Sequence, residues 1–248
     1  MPCLPGHLDR CLAVWQTLRD SELEEEHSNA VDPPRRKHPR RPDLSQNRIL
    51  EAAVVEFAEN GYAGARVEAI AERAEINKRM IYQYFGNKDS LYQAVLEKVY
   101  CDIWEAEASL SLDQLPPREA LVALVRFVWS YYLDHPEFIT LLNTENQLKA
   151  RFFRKSKILR AGAANSRPLV EEILRRGEAE GAFRADVDPT QLSLTITSVC
   201  YYYLTNQATS SIVYGQKMMA KKALEARLDF NIRTILAITA PVANNVAG

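Results

Sequence analysis

The stretch that decides the fold is Val67-Glu68-Ala69-Ile70-Ala71-Glu72-Arg73-Ala74-Glu75-Ile76-Asn77-Lys78-Arg79-Met80-Ile81-Tyr82-Gln83-Tyr84-Phe85. Val67, Ile70, Ala71 and Ala74 stand at i, i+3, i+4 and i+7, the spacing of one helical face, so they predict a short helix with an apolar inner side. Asn77 has the side chain of a helix N-cap and opens a second helix, Lys78 to Phe85, with Ile81 and Phe85 turned to the core. Two short helices joined by a tight turn, the second basic and polar on its outer face, make a helix-turn-helix. Its second helix suits the DNA major groove.

Working outward, the pattern stays helical. Ile49, Ala53 and Phe57 recur at steps of four, Asp43 and Gln46 form a capping box before them, and Gly61 is a C-terminal stop. Leu91, Val95 and Val99 start a long fourth helix after Gly86-Asn87. Pro116-Pro117 precedes a helix from Arg118 to about His135, and Pro136 breaks the chain again. Pro168 and Gly181 bound a helix over 169–180. Asp188 caps another that begins at Pro189 and runs to Gln207, and the last runs from Met219 to Thr239. No stretch alternates as a strand does, so the fold class is all-α: an N-terminal helix-turn-helix domain and a larger C-terminal helical domain.

Composition excludes several function classes. With 47 % hydrophobic and 25 % charged residues in 248, the chain can bury a globular core. It holds no apolar window of about 18 residues for a membrane helix and no signal-peptide core, so no membrane partner is expected. Neither a GxGxxG run nor a Walker-type loop occurs, and no cofactor is expected. Cys3, Cys11, Cys101 and Cys200 lack CxxC spacing, as reduced cytoplasmic thiols do. Cys3, His7 and Cys11 align at i, i+4 and i+8, but in an unstructured leader they are not expected to bind metal. His7, His27, His38 and His135 are scattered, so no nucleophile–base set forms and no enzymatic activity is expected. The net charge of −1 conceals an asymmetry. Residues 35–100 carry twelve Lys/Arg against nine Asp/Glu. This local excess of base is what a nucleic-acid partner requires.

The segment from Gly61-Tyr62 to Leu91, and above all Ile81-Tyr82-x-Tyr84-Phe85-x-x-Lys88-Asp89-x-Leu91, closely resembles the DNA-binding domain of the TetR family. The likeness covers about residues 45–100; beyond it the resemblance is one of architecture. It implies a cytoplasmic transcriptional regulator, by default a repressor, that binds palindromic double-stranded operator DNA as a homodimer. It also implies a small-molecule effector, of unknown identity, bound in the C-terminal domain. The expected organisation is a disordered leader with a basic arm at 1–44, the helix-turn-helix domain at 45–92, the ligand-binding and dimerisation domain at 93–241, and a tail at 242–248. Initiation downstream, at Val31, is an alternative start.

For DNA, Lys78 and Arg79 open the recognition helix, and the Arg79 guanidinium suits guanine O6/N7. Met80, exposed at the same end, can touch a thymine methyl; Asn77 and Gln83 complete that end and flank. Tyr82 and Tyr84 offer hydroxyls that reach phosphates in proteins of this kind, with core packing the equal alternative for Tyr84. Lys88 resembles the family's phosphate-contacting lysine. The Arg35–Arg41 cluster, with Arg40 and Arg41 nearest the domain, is either a groove-seeking arm or a solvated tail. Two positions depart from the family pattern. Arg66 stands where a capping Thr or Ser is usual, which weakens the cap while leaving a cation for phosphate. Glu75 replaces the turn glycine and, if left-handed, costs about 1–2 kcal/mol.

In the C-terminal domain, Trp104, Trp129, Tyr132, Phe138 and Tyr202 are the aromatic candidates for an effector pocket, with Asn143 as a polar group. Asp102-Ile103-Trp104 looks like the same step in pyrimidine-responsive members, which implies a small planar ligand. Leu192, Ile196, Val199 and Tyr203 form one apolar stripe, and Leu224, Leu228, Ile232 and Ile235 another. They are the expected four-helix dimer interface, with packing inside the monomer the alternative.

Overall fold

The structure, a computed structural model, describes residues 44–166 and 168–241. The leader, with Asp43, Arg40 and Arg41, and the tail lie outside the described residues. Eleven α-helices follow one another there: α1 Leu44–Gly64, α2 Val67–Arg73, α3 Lys78–Phe85, α4 Lys88–Ala108, α5 Pro117–Asp134, α6 Pro136–Gln147, α7 Lys157–Ser166, α8 Pro168–Ala179, α9 Pro189–Thr205, α10 Gln207–Val213 and α11 Lys221–Thr239. A 3-10 turn, Leu112–Gln114, precedes α5. No strand occurs among the described residues, so the all-α reading holds.

Two local signals act where the sequence places them. Asn77 Oδ1 accepts the Arg79 N–H at 2.8 Å, and Asp188 Oδ1 accepts the Gln191 N–H at 2.8 Å. Gly61 takes φ +63° and kinks α1 three residues before its end, a backbone state in which glycine carries no steric penalty. The break read at Pro136 is present, since α5 ends at Asp134 and His135 is non-helical. Pro136 itself opens α6, since a proline in the first turn gives up an N–H that has no partner there anyway. Helices α6, α7 and α10 had no counterpart in the sequence reading, and α9 stops at Thr205 rather than Gln207.

The chain divides into two compact units. Among the described residues the first holds 44–105 together with 140–160; the second holds 106–139 and those from 161 to 241. The sequence ends the DNA-binding domain at 92. The contacts carry its unit through most of α4 and add a distant segment. Phe152 explains the addition. It is 1 % exposed and lies 4.9 Å from the Tyr92 ring and 5.2 Å from the Tyr62 ring. Phe57 closes the group, 4.9 Å from Tyr92. Ile49, Ala53, Ile70, Ile81, Leu91 and Val95 fill the rest of this core. Polar groups fasten the segment as well. Glu145 Oε1 accepts the N–H groups of Phe152 and Phe153 at 2.7 and 2.9 Å, and the Ser156 hydroxyl donates to Glu97 at 2.6 Å. The preceding turn is tight: Lys149 and Ala150 both hold left-handed backbone, φ 59° and 56°.

In the second unit α5 is the central helix and packs against α8, α9 and α11. Leu121, Val125 and Trp129 of α5 meet Ile173, Leu192, Ile196, Cys200 and Ile235 in its core. Gly177 is required on α8, because a Cβ there would sit 1.9 Å from the Phe183 ring. The Arg176 guanidinium donates to the carbonyls of Leu112, Asp113 and Leu115, giving the 3-10 turn the partners its own geometry cannot supply.

This packing takes up four of the eight stripe residues expected at a dimer face. Leu192, Ile196, Ile232 and Ile235 are buried within the single chain, while Val199, Tyr203, Leu224 and Leu228 are half-buried. The exposed apolar side chains of the same two helices are Leu194, Tyr202, Phe230 and Ile238. Each helix thus carries apolar residues on two sides, and the side at the stronger spacing faces α5.

Candidate nucleic-acid interface

Helices α2 and α3 meet at a turn built on Glu75, whose φ of 52° is the left-handed state anticipated for it. Its carboxylate pairs with Arg48 of α1 at 2.9 Å. Ile81 and Phe85 are buried against the rest of the unit, which leaves the opposite side of α3 to solvent. On that side Arg79 and Gln83 are exposed, and Arg79 has no ion-pair partner among the described residues. Tyr82 is also exposed, with the Lys78 ammonium 5.5 Å above its ring. Met80 is half-buried, not exposed as expected, on the same side of α3 as the half-buried Tyr84 one turn on. Tyr84 is half-buried with its ring edge-on to Phe85 at 6.5 Å, a contact that favours its packing role.

Lys78 is paired with Glu68 of α2, and the ammonium holds that carboxyl below the usual carboxylate range. Both groups are solvent-facing, so the pair is cheap to open.

Arg66 occupies the N-cap of α2 in extended backbone and gives no side-chain cap, as the sequence implied. Its own N–H is not left bare. Glu56 of α1, 4 % exposed, accepts it through Oε1 at 3.0 Å. No local signal points to Glu56; its only mark in sequence is a carboxylate on the buried face of an amphipathic helix, between Ala53 and Phe57.

Lys88, expected as a phosphate ligand, also makes contacts within the chain. Its ammonium donates to the Ala65 carbonyl at 2.6 Å and to the Ala63 carbonyl at 3.4 Å, and lies 5.2 Å from the Tyr62 ring. A lysine committed to two carbonyls is a tie between the start of α4 and the α1–α2 connection before it is a phosphate ligand.

The effector candidates separate between the two units. Trp104 and Asn143, both half-buried, belong to the first, and the Trp104 ring lies 5.4 Å from Tyr100. Trp129, Tyr132 and Phe138 are buried in the second. Trp129 packs on Tyr203 at 5.7 Å, and Tyr132 stacks on Phe138 at 6.0 Å. Tyr202 is 62 % exposed and lines no interior. Burial raises the Tyr132 hydroxyl, which is hydrogen-bonded to Thr197 and feels the nearby Glu107. Glu107, absent from the sequence candidates, is pushed up to about 7 by burial alone.

Residues 49–95 match the family model described as bacterial regulatory proteins, tetR family, and residues 117–235 match that of the tetracyclin repressor-like C-terminal domain. Over 188 residues the chain is 42 % identical to the HTH-type transcriptional repressor NicS of Pseudomonas putida, covering 76 % of this chain and 89 % of that protein. The HTH-type transcriptional regulator RutR of Escherichia coli K12 is 27 % identical over 169 residues, 67 % of this chain and 77 % of its own. Among solved structures, the fatty acid degradation regulator FadR from Bacillus halodurans superposes with a TM-score of 0.60 at 22 % identity, covering 82 % of this chain and 97 % of that one. FadR from Bacillus subtilis, solved in complex with stearoyl-CoA, gives 0.58 at 19 % identity, with 78 % and 98 % covered. At those identities the structural likeness speaks to the fold alone. Among the described residues, no helix is long and apolar enough to cross a membrane.

Proposed function

The chain belongs to the TetR family of transcriptional regulators, and from that membership we propose that it is a ligand-responsive repressor that binds palindromic operator DNA as a homodimer. The observation that carries this reading is α3. It is a capped helix with a buried apolar side, and its solvent side presents Arg79, Gln83 and Tyr82 with Lys78 at its first turn. Arg79 reads a guanine in the major groove, and Lys78, Arg66 and Tyr82 contact phosphates. The repressor names of the relatives support the sign of regulation.

One α3 spans only a few base pairs, so two must act on one DNA face about 34–36 Å apart. For the dimer we propose the solvent sides of α9 and α11. Leu194 and Tyr202 stand eight residues apart on one, as Phe230 and Ile238 do on the other, and all four are exposed in the single chain. For the effector we propose the second unit's interior around Trp129, Tyr132 and Phe138, with Glu107 as the polar anchor. An effector shifts DNA affinity only through differential binding to two conformations.

The test is selection of binding sites from random duplex DNA by the full chain, with light scattering of the free protein. A palindrome with half-sites one helical turn apart, and a dimeric mass at micromolar concentration, are the expected results. Selection of no palindrome, or a monomer, overturns the reading.

A further inference from the structure

The end of α1 and its connection to α2, residues 61–66, are held from two sides by charged side chains that the sequence pattern does not link to them. From α1, the Glu56 carboxylate takes the Arg66 N–H at 3.0 Å; from the first residue of α4, the Lys88 ammonium takes the carbonyls of Ala65 and Ala63. In a capping box the N-cap residue's N–H is taken by a Glu or Gln three residues into the same helix. Here that third position is Ala69, which cannot do it. Glu56, ten residues upstream and on another helix, makes the missing bond.

We propose that Glu56 is a positioning residue for DNA binding: it closes the N-terminus of α2 from within α1 and so fixes α2, and the α3 that turns off it, at the register DNA requires. This rests on the DNA-binding function proposed above. The physical case is one of alternatives. A buried carboxylate is expensive, and on fold stability alone an apolar residue of similar volume serves a helix interior as well or better. Glu56 is 4 % exposed, and no lysine, arginine or histidine pairs with it among the described residues. Its bond instead fixes one backbone N–H whose position sets where α2 begins. The uncapped Arg66 and the buried Glu56 are thus two halves of one arrangement, in which a cation is kept at the N-cap and the capping bond comes from elsewhere.

The experiment measures affinity for a duplex enriched from random DNA by the wild-type protein, together with thermal melting, for Glu56→Gln, Glu56→Leu, Ala69→Glu and the Glu56→Leu/Ala69→Glu pair. Glu56→Gln keeps an acceptor and should bind within about threefold of wild type, whereas Glu56→Leu should bind about tenfold more weakly. The Leu variant should melt no lower than wild type, which separates positioning from stability. With Ala69→Glu supplying the acceptor for the residue 66 N–H from within α2, the further loss from Glu56→Leu should shrink to about twofold. A Leu variant that binds like wild type overturns the proposal. So does a loss in affinity that only tracks a lowered melting temperature, or one that is unchanged by Ala69→Glu. Wild-type protein that enriches no duplex overturns the DNA-binding reading itself, a different outcome from a wild type that binds and a Leu variant that binds equally.

Discussion

Arg151 closes an ion pair with Asp89 at 2.9 Å, although 62 residues of chain separate them, and the same carboxylate accepts the Tyr62 hydroxyl. One acid at the start of α4 therefore joins the end of α1 to the segment after α6. Burial and the Asp89 bond both raise the Tyr62 hydroxyl, so it stays protonated and donating across the working range.

The two neighbours Arg151 and Phe152 hold this junction by unequal means. Arg151 and Asp89 are both about half exposed, so Arg151→Ala should cost under about 1 kcal/mol. Phe152→Ala removes a fully enclosed ring and should cost about 3–5 kcal/mol. Urea unfolding of both variants checks the contrast; equal costs would mean that the ion pair, not the ring, holds the segment.

Arg79→Ala should weaken binding to a selected duplex by about 1–3 kcal/mol and relax preference at one base position. Repeating the selection with the variant reads both effects at once. An unchanged consensus removes Arg79 from base reading.

Lys88→Ala distinguishes a tie from a phosphate contact through salt. A lost phosphate contact lowers the slope of log affinity against log salt by about 0.9. With its ammonium on the carbonyls of Ala63 and Ala65, Lys88 should instead cost affinity at every salt concentration and leave the slope as it was.

Burial raises the Glu107 carboxyl to about 7, above the ordinary glutamate value of about 4.3. The native state therefore holds this proton more tightly than the unfolded chain does. Stability associated with it is complete below the unfolded value and is lost as the pH climbs toward the folded one. Glu107→Gln should match wild type near pH 4 and be more stable by roughly 1–3 kcal/mol above pH 7. Melting curves of both proteins across that range decide it; parallel curves would place the Glu107 carboxyl in water.

Charge substitutions separate the two sides of α9 and α11. Phe230→Glu and Tyr202→Glu alter exposed positions and should give folded monomers with much weakened operator binding. Ile235→Glu places a charge in the α5-facing core and should unfold the second unit. Light scattering and circular dichroism read the difference, and a Phe230→Glu variant that stays dimeric would move the interface elsewhere.

What could be read from sequence follows how far each signal reaches along the chain. Asn77, Asp188 and Glu75 act on backbone within a few residues, and each does what its position implied, while Gly61, expected as a stop, kinks α1 three residues before its end. The stripe on α9 was legible as apolar but not as to its partner. Leu192 and Ile196 mark one side, Leu194 and Tyr202 another, and periodicity alone does not say which meets α5. The roles of Glu56, Lys88 and Phe152 depend on partners 10, 23 and 60 or more residues away, and no local pattern carries such information. Helix α6 escaped because its opening proline doubles as a break signal.

The first unit is assembled from two separated lengths of chain, 44–105 and 140–160. Anyone grafting this reading head onto another regulator therefore faces a discontinuous module. A seam after residue 92 would carry Tyr92 away without Phe152, and Asp89 without Arg151, leaving an apolar socket open on the transplanted piece. A chimaera that respects the molecule needs two junctions rather than one, and the same rule applies to any natural recombination that trades operators between relatives of this chain.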